Sequence, residues 1–183
     1  MAKVFIFVVL SAPLAYVSRA SLKAPRSHGF YRFFAWEFIL ALVLLNIEQW
    51  FRDSLSIHQL ASWFLLAATL VPGVPGIHLL ITQGRPDTQR RDDVLLVGIE
   101  KTTRLVTTGV FKYIRHPLYC SLFLLAWGVF FKDPSWVGGG LALGATAFLL
   151  TTAKVEEAEN VRYFGAAYRA YMQKTKVFIP FLF

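Results

Sequence analysis

The sequence predicts an all-α integral membrane protein of about five transmembrane helices, and three observations carry that prediction. Hydrophobic residues fill 56% of the 183 positions, and the mean hydropathy is +0.50. The apolar residues are gathered into long runs, whereas a soluble domain would interleave them with polar positions at a strand or helix period. The basic residues fall mainly between those runs.

A helix needs roughly 20 apolar residues to cross a bilayer. Five stretches approach that length: 4–18, 33–51, 58–81, 117–131 and 135–153. The first follows Lys3 and opens like a secretory signal, but is read here as a retained membrane helix. Trp36 and Trp50 flank the second, Trp63 lies near the start of the third, Trp127 near the end of the fourth, and Trp136 opens the fifth. These are interfacial positions. The third contains Pro72-Gly73-Val74-Pro75-Gly76, which predicts a kinked or broken helix.

Five spans place the segments 19–32, 82–116 and 154–183 on one side of the membrane, and these hold sixteen of the nineteen Lys and Arg residues. Only Lys3, Arg52 and Lys132 fall opposite. The positive-inside rule then predicts a multi-pass protein with its amino terminus outside and these segments cytoplasmic.

A net charge of +8 raises the question of nucleic acid, yet there is no aromatic-interleaved basic stripe and no base-reading motif, so no nucleic acid is expected. Cys120 is the lone cysteine and no Cys/His spacing suits zinc, so no metal is expected. No repeat or linker divides the chain. It reads as a single domain, 1–183, with amino-terminal helices in 1–82 and a second half in 83–183. Between them the loop 83–104, with Arg85-Pro-Asp-Thr-Gln-Arg-Arg-Asp-Asp93, reads as a solvated connector or a lid.

The polar residues that remain form a constellation. Arg115-His116-Pro117 stands where the fourth span begins, and proline is favoured at the first helical position. A helix start is the plain reading; free N–H groups there also bind anions. Arg115 by itself could snorkel to lipid phosphate, but with His116 and Tyr119 a turn away a site is favoured. Glu156 and Glu157 end the fifth span, and adjacent helical residues point about 100° apart, so one faces the bundle and the other reads as a solvated carboxylate. The inward one either meets a ligand ammonium or pairs with Arg115. Glu37 and Glu48 share a helix face, and Glu48 precedes Arg52 by four residues, a favourable pairing. His28, His58 and His78 read as structural or interfacial.

Taken in order, Leu105-Val106, Gly109-Val110, Arg115-His116-Pro117 with Tyr119, Glu156-Glu157, Phe164-Gly165 with Tyr168 and Tyr171, and Pro180 resemble the isoprenylcysteine carboxyl methyltransferase-like family, related to membrane phospholipid methyltransferases. The set is specific, although the Arg-His-Pro-x-Tyr element alone would not be. What the resemblance implies is an S-adenosylmethionine-dependent enzyme with a cytoplasmic cofactor pocket in its carboxyl-terminal half. It implies that Leu105, Val106, His116, Pro117 and Tyr119 surround the cofactor, with Leu118 between them, and that Glu156 answers the methionine ammonium. Phe111 stands where the family has tyrosine. Thr152 stands where the isoprenylcysteine enzymes have an arginine for the substrate carboxylate, a directional pairing threonine cannot make; Lys154 is the nearby point charge.

Methyl transfer from a sulfonium is an in-line displacement that chiefly demands alignment and exclusion of water. A carboxylate acceptor is already ionised, whereas an amine or thiol must first lose a proton, for which Glu157 or His116 is available. Arg115 and Glu157 are the candidate catalytic residues, and Thr152 and Lys154 the candidate acceptor contacts. The expected acceptor is a lipid or lipophilic molecule entering from the bilayer. Alternatives are a small thiol or a phospholipid amine headgroup, or, from another class, a transporter or scaffold with a polar network through Glu37, Glu48, Arg115 and the Glu pair.

Overall fold

The computed structural model describes residues 1–85 and 102–179. The polar stretch that follows Arg85 and the family position Pro180 lie outside the described residues. Those described are helical: α1 (Ala2–Leu22), α2 (His28–Asn46) with a 3-10 turn at Ile47–Gln49, α3 (Ile57–Ala68), α4 (Leu70–Thr82), a 3-10 turn at Gly109–Lys112, α5 (Pro117–Phe130), α6 (Trp136–Phe164) and α7 (Ala166–Lys174). Among them the nearest thing to a sheet is one parallel bridge between Ile114 and Lys176.

Among the described residues, four helical stretches are long and apolar enough to cross a membrane: Ala2–Leu22, His28–Gln49, Ile57–Thr82 and Trp136–Phe164. The expected fourth stretch, 117–131, forms α5, which at 14 residues is about 21 Å long at ~1.5 Å per residue. A hydrocarbon core is about 30 Å thick.

The early end of α5 is satisfied by side chains from neighbouring helices. Ser62 Oγ donates to the Gly128 carbonyl at 2.7 Å, Asn46 Nδ2 to Val129 at 2.9 Å, His58 Nδ1 to Phe131 at 3.1 Å and Gln59 Nε2 to Lys132 at 3.0 Å. Helix ends leave carbonyls without intrahelical partners, and here α2 and the start of α3 supply the missing donors. The buried Lys132 ammonium, 3.1 Å from Gln59 Oε1 and 3.3 Å from the Trp63 ring centroid, puts a positive charge at the negative end of the α5 dipole.

The third stretch is interrupted, but at Thr69, one turn before the Pro-Gly cluster. Proline lacks the N–H that residue i−4 would receive, and its ring crowds that carbonyl; for Pro72 the residue affected is Ala68, the last of α3. Thr69 keeps helical dihedrals, and its carbonyl accepts from Gly73 N at 3.1 Å and from Ser121 Oγ at 2.9 Å. A Cβ on Gly76 would stand 2.9 Å from Leu118 Cδ1, so glycine lets α4 approach the start of α5 closely.

Helix α2 packs along α6, and α5 lies against both. Ala35 and Leu42 on α2, Ala126 on α5, and Ala142, Ala145, Leu149 and Ala153 on α6 have no exposed surface. Small residues of this kind let helix backbones approach in a bilayer. Val4, Phe5, Phe64, Val71 and Val74 point outward, as lipid-facing positions should.

Two expectations about Glu37 and Glu48 change. Glu48 pairs with Lys3 at 3.1 Å rather than with Arg52, because the helix ends at Gln49 and the four-residue spacing no longer brings the two side chains together. Glu37 accepts from Ser11 Oγ at 2.6 Å, across the α1–α2 contact.

Candidate active site

The site is built where the start of α5 meets α6, α7 and the segment after α7. Residues 113–116 run beside 176–177: Lys176 N–H donates to Tyr113 O at 3.0 Å, Arg115 N–H to Lys176 O at 2.8 Å, and His116 N–H to Val177 O at 3.2 Å. These bonds fix the turn that carries Arg115 and His116. Pro117 then occupies the first helical position of α5, where its missing donor costs nothing. Gly165, at φ +61°, makes the turn from α6 into α7 in a backbone conformation that residues with a Cβ adopt only with strain.

His116 lies between two carboxylates. Its Nδ1 is 3.6 Å from Glu156 Oε2 and its Nε2 is 3.3 Å from Glu157 Oε1. The ring stacks on Tyr119, with centroids 5.5 Å apart, and meets the edge of Phe178 at 6.4 Å. Arg115 Nε donates to Glu157 Oε1 at 2.6 Å, and its Nη1 donates to the carbonyls of Met172 and Thr175. Glu156 has Tyr119 and the basic side chains of His116, His28 and Arg32 as neighbours. One turn further along α6, Glu159 receives the His28 backbone N–H at 3.2 Å and His28 Nδ1 at 2.5 Å.

These groups surround a cavity. Leu105, Val106, Phe111 and Arg115 line it, as do His116, Pro117, Leu118, Tyr119 and Glu156. Phe164, Tyr168 and Tyr171 add aromatic surface from α6 and α7. The Tyr171 hydroxyl donates to the Phe111 carbonyl at 2.7 Å. Burial pushes the hydroxyls of Tyr168 and Tyr171 well above the usual tyrosine range, so both remain donors at neutral pH. Among the described residues, no group of three or more His, Cys, Asp or Glu side chains is arranged to hold a metal ion.

The phospholipid methyltransferase family model matches residues 92–167. Over 79 residues the chain is 37% identical to methanethiol S-methyltransferase 2 of Bradyrhizobium diazoefficiens, covering 42% of this chain and 29% of that protein. Methanethiol S-methyltransferase 1 of the same organism is 32% identical over 88 residues, 46% of this chain and 30% of its own length. Residues 92–167 are similar to a membrane methyltransferase domain. The matched stretch thus spans under a third of the curated relatives. No solved structure matches the chain.

Within the matched stretch, the eight residues expected around a cofactor share one cavity. Glu157 is not among its lining residues. Its side chain is 13% exposed and bound to Arg115 and His116, rather than being the solvated member of the pair. Thr152 and Lys154 stand apart from the cavity lining: Thr152 is fully buried and donates back to Phe148 O at 2.7 Å, while Lys154 is exposed. Sequence reasoning missed Glu159 and Asn160, which line the cavity. They stand three and four residues after Glu156, on the same face of a helix, and that spacing was a usable signal. Arg104 and Leu80 line it too, and carried no such signal.

Proposed function

We propose that the protein is an S-adenosylmethionine-dependent methyltransferase that methylates a lipid or lipophilic acceptor at the cytoplasmic membrane face. The observation that carries this reading is the shared cavity of Leu105, Val106, Phe111, His116 to Tyr119 and Glu156, within a stretch that matches a methyltransferase family. The residues fit such a donor. Glu156 offers an anion to an ammonium, the rings of Phe111, Tyr119 and Tyr168 offer faces to a cationic sulfur, and Leu105, Val106 and Leu118 offer apolar walls.

When bound, S-adenosylmethionine supplies an electrophilic methyl group. The chain's own residues orient and exclude. His116 stands 3.6 Å from the Glu156 carboxylate, Arg115 ties Glu157 to the segment after α7, and the aromatic lining keeps water out. Short as it is, α5 runs from the end that joins His116, Glu156, His28 and Glu159 to the opposite end at Asn46 and His58. The basic connecting segments therefore share one side, and their charge supports a cytoplasmic location for this end and an outside amino terminus. Leu80 on α4 and Leu118 on α5 give the cavity an apolar margin suited to an acceptor arriving from lipid.

A second reading takes a small thiol as acceptor, and the names of the two relatives favour it. A thiol must lose its proton before attack; the His116–Glu157 pair, 3.3 Å apart, is the group available to take it.

Calorimetric titration with S-adenosylhomocysteine tests the donor. Wild-type protein in detergent should bind saturably, and His116→Ala and Glu156→Ala should each bind at least about ten-fold more weakly, the loss of roughly one charge-assisted contact, while retaining wild-type helicity. Absence of binding by folded wild type would sink the methyltransferase reading.

A further inference from the structure

We infer that Glu159, held by His28, is the residue that distinguishes the positively charged methyl donor from its neutral product. The inference rests on the reading of the cavity as an S-adenosylmethionine site. Glu156 and Glu159 are one helical turn apart on α6, and both line the cavity, so their side chains emerge from neighbouring points on one face. S-adenosylmethionine carries two cationic centres, an ammonium and a sulfonium, joined by a short aliphatic chain. With Glu156 assigned to the ammonium, Glu159 is the carboxylate left for the second centre.

Three observations set Glu159 apart from an ordinary solvated glutamate. Its side chain is only 27% exposed. Both of its oxygens are held by His28, one through the backbone N–H at the start of α2 and one through Nδ1, which removes the rotational freedom that makes exposed ion pairs weak. The His28 side chain is 1% exposed, so this anchor sits in the packed α1–α2 turn, where a Cβ on Gly29 would stand 2.3 Å from Ser21 Oγ. His28 lies outside the matched stretch 92–167. The amino-terminal half therefore does more than anchor the domain in lipid: it positions a cavity carboxylate.

The rest of the lining suits a cation. Phe111, Phe164 and Tyr168 present rings beside the two carboxylates, and ring faces attract positive charge. The product keeps the ammonium but has a neutral thioether in place of the sulfonium. A carboxylate serving the sulfonium therefore favours the donor alone, whereas one serving the ammonium, or a ribose hydroxyl, favours donor and product alike.

The test compares S-adenosylmethionine and S-adenosylhomocysteine binding by full-length protein in detergent. Wild type should prefer the donor. Glu159→Gln should weaken donor binding roughly ten-fold and product binding less than about two-fold, while Glu156→Gln should weaken both to a similar degree. His28→Ala should reproduce the selective loss, and His28→Asn, which keeps a donor near the Nδ1 position, should recover much of the preference. Equal loss on both ligands, or no loss, in Glu159→Gln overturns the inference and leaves the cofactor reading standing. Wild type that binds the product as tightly as the donor overturns it without recourse to a variant. Wild type that binds neither overturns both.

Discussion

Tyr171 shows how one side chain ties the site together. Its hydroxyl donates to the Phe111 carbonyl at 2.7 Å from a position only 8% exposed. Burial raises its pKa from the ordinary value of 10.0, so the folded state keeps a proton that the unfolded chain gives up. The stabilisation is fully present below pH 10 and is lost as pH rises through the range between the two values. Tyr171→Phe should cost about 1 kcal/mol at neutral pH and flatten the alkaline fall in thermal stability. An unchanged alkaline limb would mean that this hydroxyl is not the group responsible. The neighbouring motif residues were legible in the sequence because Arg115, His116, Pro117 and Tyr119 fall within five consecutive positions. Glu156 was legible through its paired position at the end of an apolar run. His28 was not, because its partner stands 131 residues away.

At the scale of an element, α5 has the bounds that its sequence announces, although it is shorter than a full span. Its apolar run closes at Phe131 and Lys132-Asp133-Pro134 follow, and helices usually end at or before the residue preceding a proline. What the sequence did not show is the set of donors on Asn46, His58, Gln59 and Ser62 that satisfies the carbonyls of that end, which is a tertiary fact. Asn46→Ala removes the partner of the buried Val129 carbonyl and should lower stability by about 1–3 kcal/mol, read as a drop in the detergent melting temperature. A variant that melts like wild type would show that the Val129 carbonyl does not depend on Asn46. The interruption between α3 and α4 was half legible: the prolines announced it, but their effect falls on the carbonyl a turn earlier. The expected Glu48–Arg52 pair failed for a related reason, since it assumed a helix that ends at Gln49.

At the scale of the molecule, the apolar runs announced a helical membrane protein. The number of full spans turned on the shortness of α5, which the run 117–131 already showed against the roughly 20 residues a crossing needs. The proposed orientation can be tested with cysteines. Cys120 is the lone cysteine and is buried, so the background is quiet. In intact cells, Arg52→Cys should react with a membrane-impermeant maleimide and Lys174→Cys should not; the reverse pattern would invert the topology.

The backbone bonds between 113–116 and 176–177 also carry a consequence for biosynthesis. The turn bearing Arg115 and His116 is translated some sixty residues before Thr175, Lys176 and Val177, whose carbonyls it binds. Helices emerge from the ribosome in order, amino-terminal first, so α5 and α6 enter the membrane while the cavity still lacks one wall. The turn therefore stays without its partners until that last strap has been made. On the proposed function, ligand-binding competence is gained late, after membrane integration rather than during it.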